Sequence, residues 1–300
     1  MDFSADVHAY VLSALPYDPI EEPTLKAKSA AELLVIYLNW LNRLIPALPR
    51  TAHQSKAIAS NPIVTKRAGE LSALIAKIEA GGDLRPHLSK DVRCGFQTAR
   101  KGKRQRDLDL MLNDWQVHHL HLSGLIETDG FVTRDEPLLF AVFTGRDAYL
   151  IDVYDHRSWT KESVVHTLID EWPTAPFVRE IKGIRLTHGV TEQERGQRRK
   201  SGISSLMLEY KGKVWAVGYG GVTSAVTPVF ATRRANFILS SLREREALLT
   251  NNPHLLDAQL VTNGIAPPSA PDFHFTVVPE GVCGIMERTS SAFWPIARLW

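Results

Sequence analysis

The chain concentrates histidine in one short stretch. Three of its eleven histidines lie within four residues, at His118, His119 and His121. Histidine suits proton transfer near neutral pH because its ordinary pKa is ~6.5. Alternate residues of a strand share a face, so His119 and His121 are expected together, opposite Leu120 and Leu122. If those leucines face the core, the two imidazoles face solvent or a cleft.

A second group of polar side chains follows in the strand-like segment Ala148–Tyr154. The same alternation predicts an apolar face made of Tyr149, Ile151 and Val153. Asp152 and Tyr154 would lie on the opposite face, which His156 continues just past the strand. A meander of strands would then bring five candidate catalytic side chains onto one polar face: His119, His121, Asp152, Tyr154 and His156.

The first chemistry that fits this set is metal-free cleavage of RNA. A base removes the proton of a ribose 2′-hydroxyl, and an acid protonates the leaving 5′-oxygen. A cation stabilises the charged phosphorane between them. The histidines are the candidate acids and bases, and Arg157 or Arg146 is the candidate phosphate clamp.

Two other interpretations stay open. His119 and His121, with Asp152 or His156, have the residue types that bind zinc or another divalent metal. Alternatively, the histidines only form hydrogen bonds with their neighbours. The spacing of the histidines does not distinguish these three interpretations. RNA cleavage without a cofactor is the functional prediction, and a metal-dependent hydrolase is the alternative.

Charge distribution indicates a partner where net charge does not. The 35 basic and 33 acidic residues leave a net charge of only +2. A basic segment nevertheless precedes the histidines and is predicted to bind the RNA backbone. Its members are Arg93, Arg100, Lys101, Lys103, Arg104 and Arg106. A second cluster, Arg195, Arg198, Arg199 and Lys200, is either a further phosphate site or a solvated surface.

Composition excludes several classes of protein. With 44% hydrophobic and 23% charged residues, the chain is neither a disordered tail nor a fibrous repeat. Its apolar runs are far shorter than the ~18 residues of a membrane span, and its first residues lack a secretory pattern. Cys94 and Cys283 are too few for a disulfide framework. A cytoplasmic protein that does not enter the membrane is expected.

The elements that must position these residues predict an α+β fold. N-terminal helices are expected first, including one over residues 30–44 and one over residues 65–79. A central antiparallel sheet follows, with strands over residues 115–123, 137–143 and 148–154 and a helix capped by Ser158 or Thr160. A second, small α+β unit completes the chain, with hairpins expected around Lys211-Gly212 and across Pro279-Glu280-Gly281. The glycine-rich segment 218–221 is expected to be a tight turn or a phosphate cradle, and residues 251–272 are expected to be loop. The expected regions are 1–82, 83–180 and 181–300.

The histidine stretch also carries a resemblance. The run from Asn113 to Leu122 resembles that of a bacterial protein family with the pattern Asn-Asp-Trp-x-hydrophobic-His-His-hydrophobic-His-Leu. A strand ending in Asp155-His156 and a helix ending in Trp172-Pro173 extend the similarity over about residues 80–175. This resemblance implies a family but no assigned activity.

A weaker resemblance links residues 65–160 to RelE-type RNA-cleaving toxins. The shared order is a helix, a basic linker, three strands and then His156-Arg157. It implies a toxin-like or defence-related ribonuclease, with RNA as substrate and a protein antitoxin or a second copy of the chain as partner. A non-catalytic module of such a system, binding nucleic acid or protein, is the remaining alternative.

Overall fold

The computed structural model describes residues 1–98, 107–134 and 137–299. Its α-helices are α1 (Phe3–Ala14), α2 (Glu22–Lys26), α3 (Ala30–Arg43), α4 (Lys56–Ser60), α5 (Pro62–Lys66), α6 (Ala68–Glu79), α7 (Leu110–Trp115), α8 (Glu162–Glu171), α9 (Glu192–Lys200), α10 (Val229–Asn251) and α11 (Asp257–Thr262). Its strands are β1 (Thr51–Gln54), β2 (His118–His121), β3 (Leu138–Phe143), β4 (Asp147–Tyr154), β5 (Val178–Ile181), β6 (Met207–Tyr210), β7 (Lys213–Val217), β8 (Phe273–Val277), β9 (Val282–Glu287) and β10 (Phe293–Arg298). The α+β prediction is confirmed.

The chain forms two compact units, each assembled from segments that are distant in sequence. The first unit comprises Met1–Asn42, Arg93–Asp107 and Ala231–Trp300, and the second comprises Arg43–Val92 and Leu108–Phe230. This division does not follow the three contiguous regions expected from the sequence. Burial of Leu84 and Leu88 in the core of the second unit joins residues on both sides of position 82.

The histidine stretch lies in the central sheet of the second unit. Its four strands have the order β1-β4-β3-β2. The predicted antiparallel neighbours β2, β3 and β4 are confirmed. Strand β1 joins in parallel with β4 and was not predicted, because it is only four residues long and follows closely after Pro46 and Pro49.

Both faces of this sheet are buried. Leu139 and Ala141 of β3 pack on one face with α4 and α6, while Phe140 and Val142 pack on the other with α8. Strand β3 is therefore apolar along its whole length, as expected for a strand covered on both sides. On β2, His119 is partly exposed and the other three residues are buried.

A second sheet in the same unit has the order β5-β7-β6. The predicted hairpin around Lys211 and Gly212 is confirmed, and both residues have the positive φ that a type I′ turn requires. The predicted cap of α8 is wrong. Its N-cap is Lys161, whereas Ser158 is buried and donates a hydrogen bond to Asp155.

The first unit contains the sheet β10-β9-β8, and α1 packs against β8. The hairpin of β8 and β9 was predicted and is confirmed. Strand β10 was missed because Pro295 interrupts its pattern, and α11 lies where only loop was expected. Among the helices that the structure describes, none has the length and hydropathy to span a membrane.

The glycine-rich segment after β7 was expected to be a tight turn or a phosphate cradle, and it is a packed turn. Gly218 has φ 84°. A Cβ added there would lie 2.4 Å from the carbonyl oxygen of Asp114. Only glycine allows the backbone to approach the Asn-Asp-Trp segment so closely.

Replacement of Gly218 by alanine is expected to destabilise the protein severely. Gly218→Ala should lower the free energy of unfolding by about 3 kcal/mol or more, from left-handed strain plus the clash. Gly212→Ala is the matched control, since Gly212 has φ 71° with no heavy atom within 4 Å of the added Cβ. It should cost about 1 kcal/mol. Equal losses in urea denaturation would contradict the close approach.

Candidate functional site

Strand β2 presents two histidines on one face, as predicted. His119 lies opposite Phe140, and His121 lies opposite Leu138 on β3. Directly opposite residues of an antiparallel pair share a face. Phe140 and Leu138 belong to the core beneath α8, whereas Leu120 belongs to the core on the other face. His119 and His121 are therefore edge-strand residues on the α8 side of the sheet.

His118 lies on the opposite face of the sheet, where it is buried. It is 8% exposed, and its ring meets the ring of Phe143 edge-on at 5.7 Å between centroids. Burial lowers the pKa of His118 to about 4. It is therefore neutral at physiological pH, and its burial favours a packing role over proton transfer.

The predicted alternation on β4 is wrong. An irregularity in the pairing between Phe140 and Ala141 leaves Ile151 as an extra residue. Tyr149 and Ile151 pack against the core on the α8 side, but Val153 packs in the core on the other side. A bulge of this kind reverses which face each later residue takes.

Asp152 does not join the histidines. It lies opposite Phe140, as His119 does from the other side, so β3 separates them by about 10 Å between Cα atoms. The Asp152 carboxylate accepts hydrogen bonds from the Asn61 side-chain amide at 2.7 Å and from the Val153 N–H at 2.8 Å. It serves to attach the chain before α5 to β4.

The turn after β4 brings two further rings to the histidines. The Asp155 carboxylate accepts hydrogen bonds from the Arg157 N–H at 2.9 Å and the Ser158 hydroxyl at 2.8 Å. The Ser158 and Arg157 hydrogen bonds hold the pKa of this carboxyl below its ordinary value. This Asx turn fixes the direction of the chain, and His156 and Trp159 lie on it.

Four rings then form one group, here called the imidazole–indole cluster: His119, His121, His156 and Trp159. The centroids of His121 and His156 are 5.4 Å apart. Trp159 lies 4.6 Å from His119, edge-on, and 6.1 Å from His156. Its ring also stacks near-parallel to Phe140 at 5.7 Å. His121 is 4% exposed, while His156 and Trp159 are partly exposed.

Polar contacts orient the β2 side of the cluster. Oδ2 of Asp109 lies 3.8 Å from Nδ1 of His119, and its other oxygen accepts the Leu112 N–H that begins α7. Nδ1 of His87 donates to the carbonyl oxygen of His121 at 2.9 Å. Burial lowers the pKa of His87, so its ring is neutral and supports the strand.

Tyr154 borders the cluster through Phe140, whose ring lies 5.0 Å from its own. Its hydroxyl lies 3.4 Å from Oγ of Ser163, and Nζ of Lys161 lies 5.5 Å from its ring centroid. Burial raises the pKa of Tyr154, which keeps the phenol protonated at neutral pH. Tyr154 can donate a proton or a hydrogen bond but cannot act as a base there.

The cations predicted to bind phosphate lie in different parts of the structure. Arg157 is exposed and adjoins His156 in sequence. Arg146 is ruled out as the clamp, because it lies in the turn between β3 and β4, about 15–20 Å along β3 from the His121 end. Arg93 is exposed and belongs to the first unit. Five predicted RNA-binding residues lie outside the described residues: Arg100, Lys101, Lys103, Arg104 and Arg106.

Half of the second basic cluster is buried, contrary to the surface or phosphate site that the sequence allowed, while Arg198 is half-buried and Lys200 is exposed. Arg195 and Arg199 are 1% and 8% exposed, respectively. Their guanidinium groups form ion pairs with Glu162 and Asp114. Sequence reasoning could not detect this, since charged runs on a helix are usually solvated and these acidic partners are distant in sequence.

Neither similarity to known proteins nor a metal-binding arrangement of the described residues indicates a function. No family model, curated protein or solved structure matches the chain. Within residues 1–98, 107–134 and 137–299, no group of three or more histidine, cysteine, aspartate or glutamate side chains is placed to hold a metal ion. Trp159 and Asp109 were missed from the sequence, although the Asp155-to-Ser158 turn is the kind of signal that indicates a chain reversal before Trp159.

Burial of His118 predicts a loss of stability in acid. An unfolded histidine binds a proton near pH ~6.5, whereas folded His118 binds one only near pH 4. Its contribution is therefore complete above pH ~6.5 and is lost as the pH falls towards 4, by about 3 kcal/mol at most. His118→Leu should reduce the slope of unfolding free energy against pH in this window.

His254→Gln provides the control, since the side chain of His254 is 52% exposed. The neutral His87 leaves part of the slope in place in every variant. Urea titrations between pH 7.5 and 4.5 measure the effect. An unchanged slope in His118→Leu would contradict this account, because His118 would then bind a proton equally well in the folded and unfolded protein.

Proposed function

We propose that the protein cleaves RNA without a metal, by attack of a ribose 2′-hydroxyl on the adjacent phosphate. The observation that carries this proposal is the 5.4 Å separation of the His121 and His156 rings. Hydrogen bonds span ~2.6–3.2 Å, so two rings at this distance can both reach one phosphodiester group. One imidazole then serves as base for the 2′-hydroxyl, and the other serves as acid for the 5′-oxygen.

The rigidity of the two supports favours catalysis over loose binding. His121 lies on a strand whose carbonyl is held by His87, and His156 lies on a turn held by Asp155. Positioned acid–base pairs contribute roughly 10²–10⁴-fold each because the proton donors and acceptors are fixed before the reaction. Asp152 has no part in this scheme, and Tyr154 is a hydrogen-bond donor beside it.

The aromatic side of the cluster suits a nucleobase. Trp159 and Tyr154 are both partly exposed, and unpaired RNA bases stack on such rings. His119 contacts Trp159 edge-on, so its role in this scheme is to orient the indole. Single-stranded RNA is therefore the proposed substrate.

Cations for the phosphate come from both sides in sequence. Arg157 follows His156 directly, and Lys161 lies at Tyr154. The basic segment 93–106 is a further candidate for RNA binding from the sequence alone. The toxin-like role and an antitoxin or second copy as partner rest on the resemblance to RelE-type toxins, and the cytoplasmic location rests on the composition.

The test is cleavage of single-stranded RNA by purified protein in EDTA. His121→Asn and His156→Asn should each lower the rate at least about 100-fold, because each removes one proton-transfer group. RNA binding should persist in both. His188→Asn is the control, since that side chain is 69% exposed and lies beside Glu194.

Cleavage that EDTA abolishes would replace this proposal with the metal-dependent hydrolase. RNA binding without cleavage, unaffected by either histidine substitution, would instead favour the non-catalytic module. Circular dichroism and thermal unfolding of each variant confirm that the lost activity is not a lost fold.

A further inference from the structure

A buried ion pair lies next to the imidazole–indole cluster. Nε of Arg199, on α9, donates to Oδ2 of Asp114 at 3.0 Å. The two side chains are 8% and 0% exposed. Burial lowers the pKa of Arg199 while Asp114 opposes the shift, and an arginine stays charged in either case.

The guanidinium of Arg199 also lies over an aromatic ring. Its central carbon lies 4.2 Å from the ring centroid of Trp115, a residue with no exposed surface. Such cation–π contacts are stronger where water is excluded. The guanidinium is therefore held by the ring of Trp115 and by the carboxylate of Asp114.

The remaining edge of Arg199 points to the cluster. Its Nη1 donates to the main-chain carbonyl oxygen of Trp159. One guanidinium thus connects Asp114, in the helix just before β2, with the turn that carries His156 and Trp159. These are the two chain segments whose rings form the cluster.

Arg195 is a second buried arginine of α9 that lacks the connection to Trp159. It lies one helical turn earlier on α9, is 1% exposed and has its guanidinium carbon 5.0 Å from the Trp115 ring. Its donors go to Glu162 at 2.6 Å and to the carbonyls of Val190 and Ser205. Arg195 therefore matches Arg199 in burial and ring contact but has no bond to Trp159.

Stability alone does not explain a buried pair of this kind. Removing two charges from water costs several kcal/mol each, and apolar residues of similar volume often stabilise a core equally well. An arginine, however, offers donors in fixed directions from one rigid plane, which lysine does not. The bond to Trp159 uses that property.

We propose that Arg199, fixed by Asp114, is a positioning residue that sets the place of Trp159 against His119 and His156. The catalytic consequence rests on the proposed function, since Trp159 is the proposed base-stacking surface. The positional claim does not, because it concerns only the described side chains. Arg199 itself contacts neither the imidazoles nor the proposed substrate.

The first test measures position without RNA. The ring of Trp159 shifts the imidazole proton resonances of His119 and His156 in NMR spectra, and a displaced ring changes those shifts. Arg199→Lys keeps the charge opposite Asp114 but loses the planar fork. It should move both imidazole resonances, and Arg195→Lys should leave them in place despite an equal loss of buried guanidinium.

A double-mutant cycle tests whether the effect passes through the indole. In a Trp159→Leu background, Arg199→Lys should cause no further shift of the His119 resonance, because the ring that Arg199 positions is gone. The same cycle is run with RNA affinity. Each single substitution should weaken binding of single-stranded RNA about tenfold, and the double variant should bind no more weakly than Trp159→Leu.

Asp114→Asn supplies a second route if Arg199→Lys does not fold. It removes the charge that holds Arg199 and should move the same two resonances. Unchanged imidazole resonances in folded Arg199→Lys or Asp114→Asn would overturn the positioning role. So would unfolding of both variants under conditions where Arg195→Lys stays folded, since the pair would then act on global stability.

The outcomes separate this inference from the ribonuclease proposal. Moved resonances with no RNA cleavage by the wild-type protein would retain Arg199 as a positioning residue of a non-catalytic site. The wild-type protein could also cleave RNA while the losses of RNA affinity in the cycle are additive. The ribonuclease proposal would then stand, and Arg199 would not be a positioning residue of its site.

Discussion

The bond from Arg199 to the Trp159 carbonyl is the contact on which the geometry of the cluster depends. Arg199 is held at the same time by Asp114 and by the face of Trp115. The Asn-Asp-Trp part of the sequence run is therefore a brace, and the histidine part supplies the proposed acid–base groups.

The central sheet limits what the histidines can reach. Its faces are covered, and β2 is an edge strand whose His119 and His121 lie on the α8 side of the sheet. The turn at Asp155 fills that place with His156 and Trp159. A site formed in this way combines a rigid strand with a short turn that its own hydrogen bonds fix.

Local signals in the sequence predicted local structure well. The hairpin at Lys211 and Gly212 follows from turn chemistry, and the shared face of His119 and His121 follows from strand alternation. The bulge at Ile151 has no sequence signal, so the face of Asp152 could not be derived. His156 was predicted in the site, although the turn that places it was not.

Contacts between distant residues could not be read from the sequence. Asp114 and Arg199 are separated by 85 positions, and no periodicity links them. The run of arginines on α9 has the composition of a solvated face, yet Arg195 and Arg199 are buried by partners that only the fold brings near. The short strands β1 and β5 are likewise defined by the strands beside them, β4 and β7.

The chemistry of the cleaved ends tests the proposed function most directly. Single-stranded RNA and DNA of the same sequence are incubated with the protein in EDTA, and the product ends are identified by mass spectrometry. Attack by the 2′-hydroxyl predicts 2′,3′-cyclic phosphate and 5′-hydroxyl ends from RNA, with the DNA intact. Cleaved DNA, 5′-phosphate ends or uncut RNA would contradict the acid–base role of His121 and His156.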